Sequence, residues 1–335
     1  MFCLQSGNLT LDLIVNILIF VVGTAVLVKG SDWFVDAAAN LARRWGVSEI
    51  VIGLTLVSIG TSLPELASST YAAIQGQSDF IIGNIVGSNV TNISLILAVG
   101  IIGMGTMPFE RKMLTRDGFF LLFVYLVCAI LFSLPISSGH GIDFRGAVVL
   151  LLLGAFYLFL LFRQTRLDRK ETEADQPQEK GSALLNLLLL AVGIVMITAG
   201  AKGMVDPAVW GARQLGISML VISSTIVAFG TSVPELAVTL AGTIKKRHDI
   251  ALGNIIGSNI FNILLIFGVT GCITSLPLNT GGIGLLNLIL MGATGLLLVF
   301  FMLPHKNRLT RMQGILFLLV YLFFMIANCL AALKE

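Results

Sequence analysis

Ten apolar stretches recur along the chain, with approximate limits 10–29, 48–74, 80–106, 118–135, 145–163, 182–203, 217–244, 249–274, 282–303 and 312–332. Each is roughly 18–27 residues long, which suits an α-helix rising about 1.5 Å per residue across a hydrocarbon core of about 30 Å. The pattern predicts ten membrane-spanning helices. The second, third, seventh and eighth stretches are the longest and contain Gly and Pro, which predicts bent or tilted helices there. The longest polar stretch, Arg163–Ser182, mixes charges of both signs, includes Pro177 and lacks apolar periodicity. It reads as a linker between two halves.

Composition agrees with a bilayer as solvent. Of the 335 residues, 56% are hydrophobic and only 12% charged, about half the charged share of a soluble domain. No basic run with interleaved aromatics points to nucleic acid. Residues 1–28 contain no Lys or Arg, and Leu9–Val28 is long enough to span, so the N-terminus is expected not to be a cleavable signal peptide. Cys3, Cys128, Cys272 and Cys329 form no CxxC pair and read as small packing residues. His140, His248 and His305 fall in polar connections and read as solvated.

Lys and Arg are distributed unevenly over the connections. One side carries 17 of the 21, namely Lys29, Arg43, Arg44, Arg111, Lys112, Arg116, Arg163, Arg166, Arg169, Lys170, Lys180, Lys245, Lys246, Arg247, Lys306, Arg308 and Arg311. The other carries Arg145, Lys202, Arg213 and Lys334. The positive-inside rule places the first group in the cytoplasm and both termini outside.

The chain also repeats itself. Residues 46–93 align without a gap to 216–263, at a constant offset of 170 and with roughly half the positions identical. GTSLPELA (Gly60–Ala67) matches GTSVPELA (Gly230–Ala237), and GNIVGSNVTNI (Gly83–Ile93) matches GNIIGSNIFNI (Gly253–Ile263). Five spans per half is an odd number, so the second copy enters the membrane from the opposite side. Inverted repeats of this kind mark secondary transporters, with the binding site near midplane at the repeat interface.

The repeated motifs carry the candidate chemistry. Glu65 and Glu235 occupy equivalent places near the centres of their spans, and by the expected limits they are the only acidic residues deep in the membrane. An ionisable residue there is a functional candidate by default; the alternative is a protonated Glu bonded between helices. Thr61 and Ser62 precede Glu65 by four and three positions, as Thr231 and Ser232 precede Glu235, which puts each trio on one helix face. Hydroxyl and carboxylate oxygens suit hard cations such as Ca²⁺ and Na⁺, and no thiolate or imidazole lies nearby to favour softer metals. Pro64 and Pro234 deprive the carbonyls of Gly60 and Gly230 of their donors and force a bend beside the site.

On the following spans, Ser88 with Asn92 and Ser258 with Asn262 share a face and add neutral oxygens. Gly83, Gly87, Gly253 and Gly257 read as close-packing positions between the ligand helices. Asn84, Asn89, Asn254 and Asn259 suit interhelical hydrogen bonds as well as ion contact. Asp79, Asp249, Asp36 and Asp206 read as solvated or helix-terminal charges.

GTSLPE with GNIVGSNVTN, repeated as GTSVPE with GNIIGSNIFN, resembles the α-repeats of the cation/calcium exchanger superfamily, and most closely its sodium/calcium exchanger group. The resemblance implies an all-α integral membrane protein of ten transmembrane helices in two inverted five-helix repeats. The repeats would cover 1–163 and 182–335, joined by a cytoplasmic linker 164–181. It implies a metal site of Thr61, Ser62, Glu65, Ser88, Asn92, Thr231, Ser232, Glu235, Ser258 and Asn262. The glutamates would hold Ca²⁺, and the surrounding oxygens, with carbonyls near Ser58 and Ala228, would form Na⁺ sites. In the family the first and sixth spans slide across this core. Potassium-dependent members carry Asp where Asn262 stands, which weakens a potassium-dependent reading. The large cytoplasmic regulatory region of animal exchangers is missing.

The expected function is therefore Ca²⁺/Na⁺ antiport by alternating access in a plasma membrane of bacterial inner-membrane type. The bound ions are cargo, with no cofactor, no nucleic acid and no obligate protein partner. Antiport of Ca²⁺ or another divalent ion against H⁺ is the alternative. An intramembrane enzyme is disfavoured, because the spans hold no Ser/His, Cys/His or paired-Asp arrangement. A channel is disfavoured by the inverted repeats.

Overall fold

The computed structural model describes residues 9–137, 139–172, 182–214, 228–278, 283–303 and 307–332. It is almost wholly helical. The first half contains α1 (Leu9–Trp45), α2 (Glu49–Thr61), α3 (Leu63–Ile74), α4 (Ser78–Met104), α5 (Met113–Ser133) and α6 (Phe144–Thr172). The second contains α7 (Ala183–Gln214), α8 (Ala228–Thr231), α9 (Val233–Ile244), α10 (His248–Ile273), α11 (Ile283–Met302) and α12 (Arg311–Ala332). Eight of these are long and apolar enough to cross a membrane, and the pair α2 and α3, bent by 45°, makes a ninth among the described residues. The tenth expected span, 217–244, is described only from Ala228 onward.

Three expected limits are too short. α1 runs to Trp45 and α7 to Gln214, well past the expected ends at 29 and 203. Hydropathy falls after Lys29, but Phe34, Val35, Ala38, Leu41 and Ala42 recur at helical spacing and are buried, so one face continues the helix. Lys29 thus lies within a helix and not in a loop. Likewise α6 continues through Thr172, making the first part of the expected linker helical. At 37 residues, α1 is roughly 55 Å long, more than a bilayer core requires.

Two turns at equivalent positions reverse the chain. Gly76 (φ 70°) and Lys246 (φ 59°), 170 residues apart, adopt the left-handed conformation between α3 and α4 and between α9 and α10. Asn84 Nδ2 donates to Ser69 Oγ at 3.2 Å across the first hairpin, and Asn254 Nδ2 donates to Thr239 Oγ1 at 3.1 Å across the second. α4 therefore runs antiparallel to the α2–α3 span.

Across the halves, α2 lies parallel to α10. A Cβ on Gly53 would meet Ile250 O at 2.9 Å, and one on Gly257 would meet Ser58 Oγ at 2.6 Å. Only glycine permits this approach. Since α10 runs with α2 and against α4, α10 and its sequence equivalent α4 point in opposite directions, and the repeats are inverted. The partner segment corresponding to Gly83 and Gly87 lies largely outside the described residues.

Short strands repeat the same exchange at the helix ends. β1 (Thr106–Pro108), which follows α4, pairs antiparallel with β5 (Arg308–Thr310), which precedes α12. β4 (Leu276–Pro277), which follows α10, pairs with β3 (Gly139–Ile142), which precedes α6 and also pairs with β2 (Pro135–Ile136). α1 and α7 pack along a seam of glycines, where a Cβ on Gly200 would stand 2.5 Å from Leu27 N and one on Gly30 2.7 Å from Met196 Cβ.

Acidic residues besides the two glutamates are buried in the protein, among them Asp117. It lies in the first turns of α5, fully buried. Arg116 Nε and Nη2 donate to its two oxygens at 2.8 and 2.9 Å, and Tyr157 OH donates to Oδ1 at 3.1 Å. Of the cysteines, Cys128 is buried and Cys272 and Cys329 are partly buried and free; Cys3 lies outside the described residues.

Candidate ion-binding site

Glu65 and Glu235 stand in the first turns of α3 and α9, just past a break at Ser62 and Ser232. The backbone there (φ −85°, ψ 5° at Ser62; φ −90°, ψ 4° at Ser232) departs from the helix. Pro64 and Pro234, at the starts of α3 and α9, lack the N–H that would continue the ladder. Sequence reasoning placed Thr61, Ser62 and Glu65 on one helix face and expected Pro64 to bend the helix there. In the structure the helix is interrupted between Thr61 and Leu63, and the trio gathers at the break. Each glutamate therefore sits at the positive N-terminal end of a half-helix, which favours a carboxylate.

Both glutamates are only 1% exposed. Ser62 Oγ donates to Glu235 Oε1 at 3.0 Å, linking the halves directly. Thr61 Oγ1 donates to Asn254 Oδ1 at 3.0 Å, and Thr231 Oγ1 donates to Asn84 Oδ1 at 3.2 Å. The four groups come from α2, α10, α8 and α4, so the central helices of both repeats are cross-tied. Asn84 and Asn254, for which two roles were open, serve these interhelical bonds.

Ser88 and Asn92 on α4, and Ser258 and Asn262 on α10, are all buried. Immediately at Asn92 and at Asn262 each helix widens into a π-turn, Asn92–Ile96 and Asn262–Phe267. Such turns concentrate at functional sites, and nothing in the hydropathy signals them. Asn262 Nδ2 donates to Asn89 Oδ1 at 2.9 Å, which fixes the amide. Asn89 Nδ2 in turn donates to Asn259 O at 3.3 Å.

Among the described residues, the buried side-chain oxygens without a hydrogen-bond partner are Glu65 Oε1 and Oε2, Glu235 Oε2, Ser88 Oγ, Ser232 Oγ, Ser258 Oγ, and the Oδ1 atoms of Asn92 and Asn262, with Asn307 Oδ1 the one from elsewhere. Buried polar groups are normally paired, and each left unpaired costs about 1–3 kcal/mol. A set of carboxylate, hydroxyl and amide oxygens, all hard and all short of a donor, suits a hard cation.

Asp79 and Asp249 stand in the first turns of α4 and α10, as expected. Asp36, expected at a span end, lies inside α1, where Lys245 Nζ pairs with it at 2.7 Å and with Asp32 at 3.5 Å. Sequence reasoning missed Tyr125, whose hydroxyl donates to Asn259 Oδ1 at 2.8 Å. The available signal was a departure from symmetry, because Gly295 stands at the equivalent position of the second half.

The profile of the family described as sodium/calcium exchanger protein matches residues 15–163 and 185–330, nearly the whole chain. The chain belongs to the sodium/calcium exchanger family. Among exchangers and their relatives, it is 35% identical to the sodium/calcium exchanger MaX1 of Methanosarcina acetivorans, covering 93% of this chain and 98% of that one. It is 36% identical to the inner membrane protein YrbG of Escherichia coli, covering 76% and 79%. Its fold is similar to that of the sodium-calcium exchanger NCX_Mj soaked with 10 mM Na⁺ and zero Ca²⁺, with a TM-score of 0.79, 34% identity and coverage of 94% and 99%. Exchanger family members are transporters.

Proposed function

We propose that this chain is a secondary antiporter that exchanges Ca²⁺ for Na⁺ by alternating access. The ions bind between two inverted five-helix repeats, 1–163 and 182–335, joined by a cytoplasmic linker at 164–181. The ligands are Glu65, Glu235, Thr61, Ser62, Ser88, Asn92, Thr231, Ser232, Ser258 and Asn262. The observation that carries this reading is the concentration of partnerless buried oxygens on seven of these ten residues.

The physical logic is charge. Two buried carboxylates repel when bare, and moving both through an apolar barrier without compensation is costly. One Ca²⁺ neutralises both, and so do Na⁺ ions in its place. A loaded site occludes, whereas an empty one resists occlusion, and that couples the two fluxes. The tight glycine seam between α1 and α7 supports a sliding pair that alternates access to the site. The protein sits in a plasma membrane with both termini outside, by its Lys and Arg distribution.

The test is radioactive Ca²⁺ uptake into proteoliposomes under imposed Na⁺, K⁺ or pH gradients. Uptake driven by an outward Na⁺ gradient supports the reading. Uptake driven only by a proton gradient replaces it with Ca²⁺/H⁺ antiport.

A further inference from the structure

The two halves of the site share their ligands but not the supports behind them. In the second half, Asn262 Nδ2 is held by Asn89 Oδ1 at 2.9 Å. The symmetric bond would join Asn92 Nδ2 to Asn259 Oδ1. Among the described residues it is not made: the Asn259 amide is held in another orientation, its Oδ1 accepting from Tyr125 OH at 2.8 Å and its Nδ2 donating to Ile255 O at 2.7 Å. Tyr125 is buried in α5, and its ring fits because residue 295 is glycine. A Cβ on Gly295 would meet Tyr125 Cε2 at 2.8 Å and Cδ2 at 2.9 Å. Asn89, the counterpart of Asn259, has no such tyrosine: its Nδ2 donates to Asn259 O at 3.3 Å and lies 3.6 Å from Met291 Sδ, and its Oδ1 faces Asn262.

We propose that Tyr125 is a positioning residue that sets divalent-ion selectivity. By holding the Asn259 amide turned toward α5 it leaves Asn92 without the tether that Asn262 has. This rests on the reading above that Asn92 and Asn262 are ligands. One held amide fixes the register of the ion. The other adjusts its oxygen to ions of different size, as a site that takes Ca²⁺ and Na⁺ in turn requires. Groups behind a ligand act on affinity through the ligand's orientation and freedom.

Tyr125→Phe keeps the ring beside Gly295 and removes only the hydroxyl. Released from that hydroxyl, the Asn259 amide turns its Oδ1 to Asn92 Nδ2, and both ligand amides are held. The experiment measures Ca²⁺, Sr²⁺ and Mn²⁺ binding to the purified full chain, together with Sr²⁺ and Mn²⁺ competition against radioactive Ca²⁺ uptake. In Y125F the preference for Ca²⁺ over Sr²⁺ and Mn²⁺ rises by about tenfold, in the range typical of changes behind a metal ligand. The double variant Tyr125→Phe with Asn259→Leu has no amide to capture Asn92 and returns to the native ratio. A folded Y125F protein with native ratios overturns the proposal, as does a double variant that keeps the shifted ratio. A change in stability alone, with selectivity unmoved, marks Tyr125 as merely structural and also overturns it. A native protein that neither binds nor exchanges any of the three ions overturns the exchange reading itself, and this proposal with it.

Discussion

Ser62 Oγ donates to Glu235 Oε1 at 3.0 Å, so a hydroxyl of the first repeat holds the carboxylate of the second. The reverse bond is not made. Ser232 Oγ and both oxygens of Glu65 have no partner. A nearly symmetric sequence thus gives an asymmetric site, with Glu235 restrained by protein and Glu65 left to the ion. Ser62→Ala should destabilise the ion-free protein by about 1–3 kcal/mol, because it strands a buried carboxylate oxygen. Ser232→Ala should leave ion-free stability nearly unchanged. Thermal unfolding in chelator, then with added Ca²⁺, separates the two. Both variants should lose part of the Ca²⁺-induced stabilisation.

The α1–α7 seam should tolerate no added methyl. In Gly200→Ala the new Cβ would meet the backbone at Leu27 N and Gly23 O, within 2.5 and 2.7 Å. Backbone cannot rotate away, so the helices must separate. Exchange rate and thermal stability should both fall. Gly103→Ala, on α4 with nothing within 4 Å of the added Cβ, should be neutral or stabilising by up to about 1 kcal/mol.

The pair of partly exposed Arg116 and buried Asp117 should behave asymmetrically. Arg116→Gln leaves a fully buried carboxylate without its cation and should cost about 3 kcal/mol or more. Adding Asp117→Asn to it should recover most of that loss. Denaturation of the single and double variants measures the coupling.

The ion pairs of Lys245 are a different case. Asp36 is 59% exposed and Lys245 24%, so water and salt screen their attraction. Lys245→Gln should change stability by about 1 kcal/mol or less, and raising ionic strength should erase the difference. A larger effect at high salt would contradict this.

The repeat and its polar motifs were legible because a 170-residue offset and a glutamate inside an apolar stretch leave marks in the sequence. Glu65, Glu235 and the paired Ser/Asn positions could be read from spacing alone. The ends of α1 and α7 could not, because a long amphipathic extension buries one face while its mean hydropathy falls. The π-turns at Asn92 and Asn262 were also hidden, since a π-turn adds one residue to a turn without changing the composition. Tyr125 escaped because the aligned blocks end at Ile93 and Ile263. Its asymmetry with Gly295 is visible in the sequence, but the bond to Asn259 shows only in the structure. Asp117 was missed because Arg116 and Arg111 beside it made the segment read as a connection.

The central claim is that cation exchange runs through the two glutamates. The most direct measurement is Na⁺-gradient-driven uptake of radioactive Ca²⁺ in proteoliposomes containing native, Glu65→Gln or Glu235→Gln protein. Reconstitution and folding are matched for all three. The account requires robust uptake by the native protein and its loss in both variants, since a single carboxylate cannot balance a divalent ion. Native-level uptake by either folded variant would contradict it.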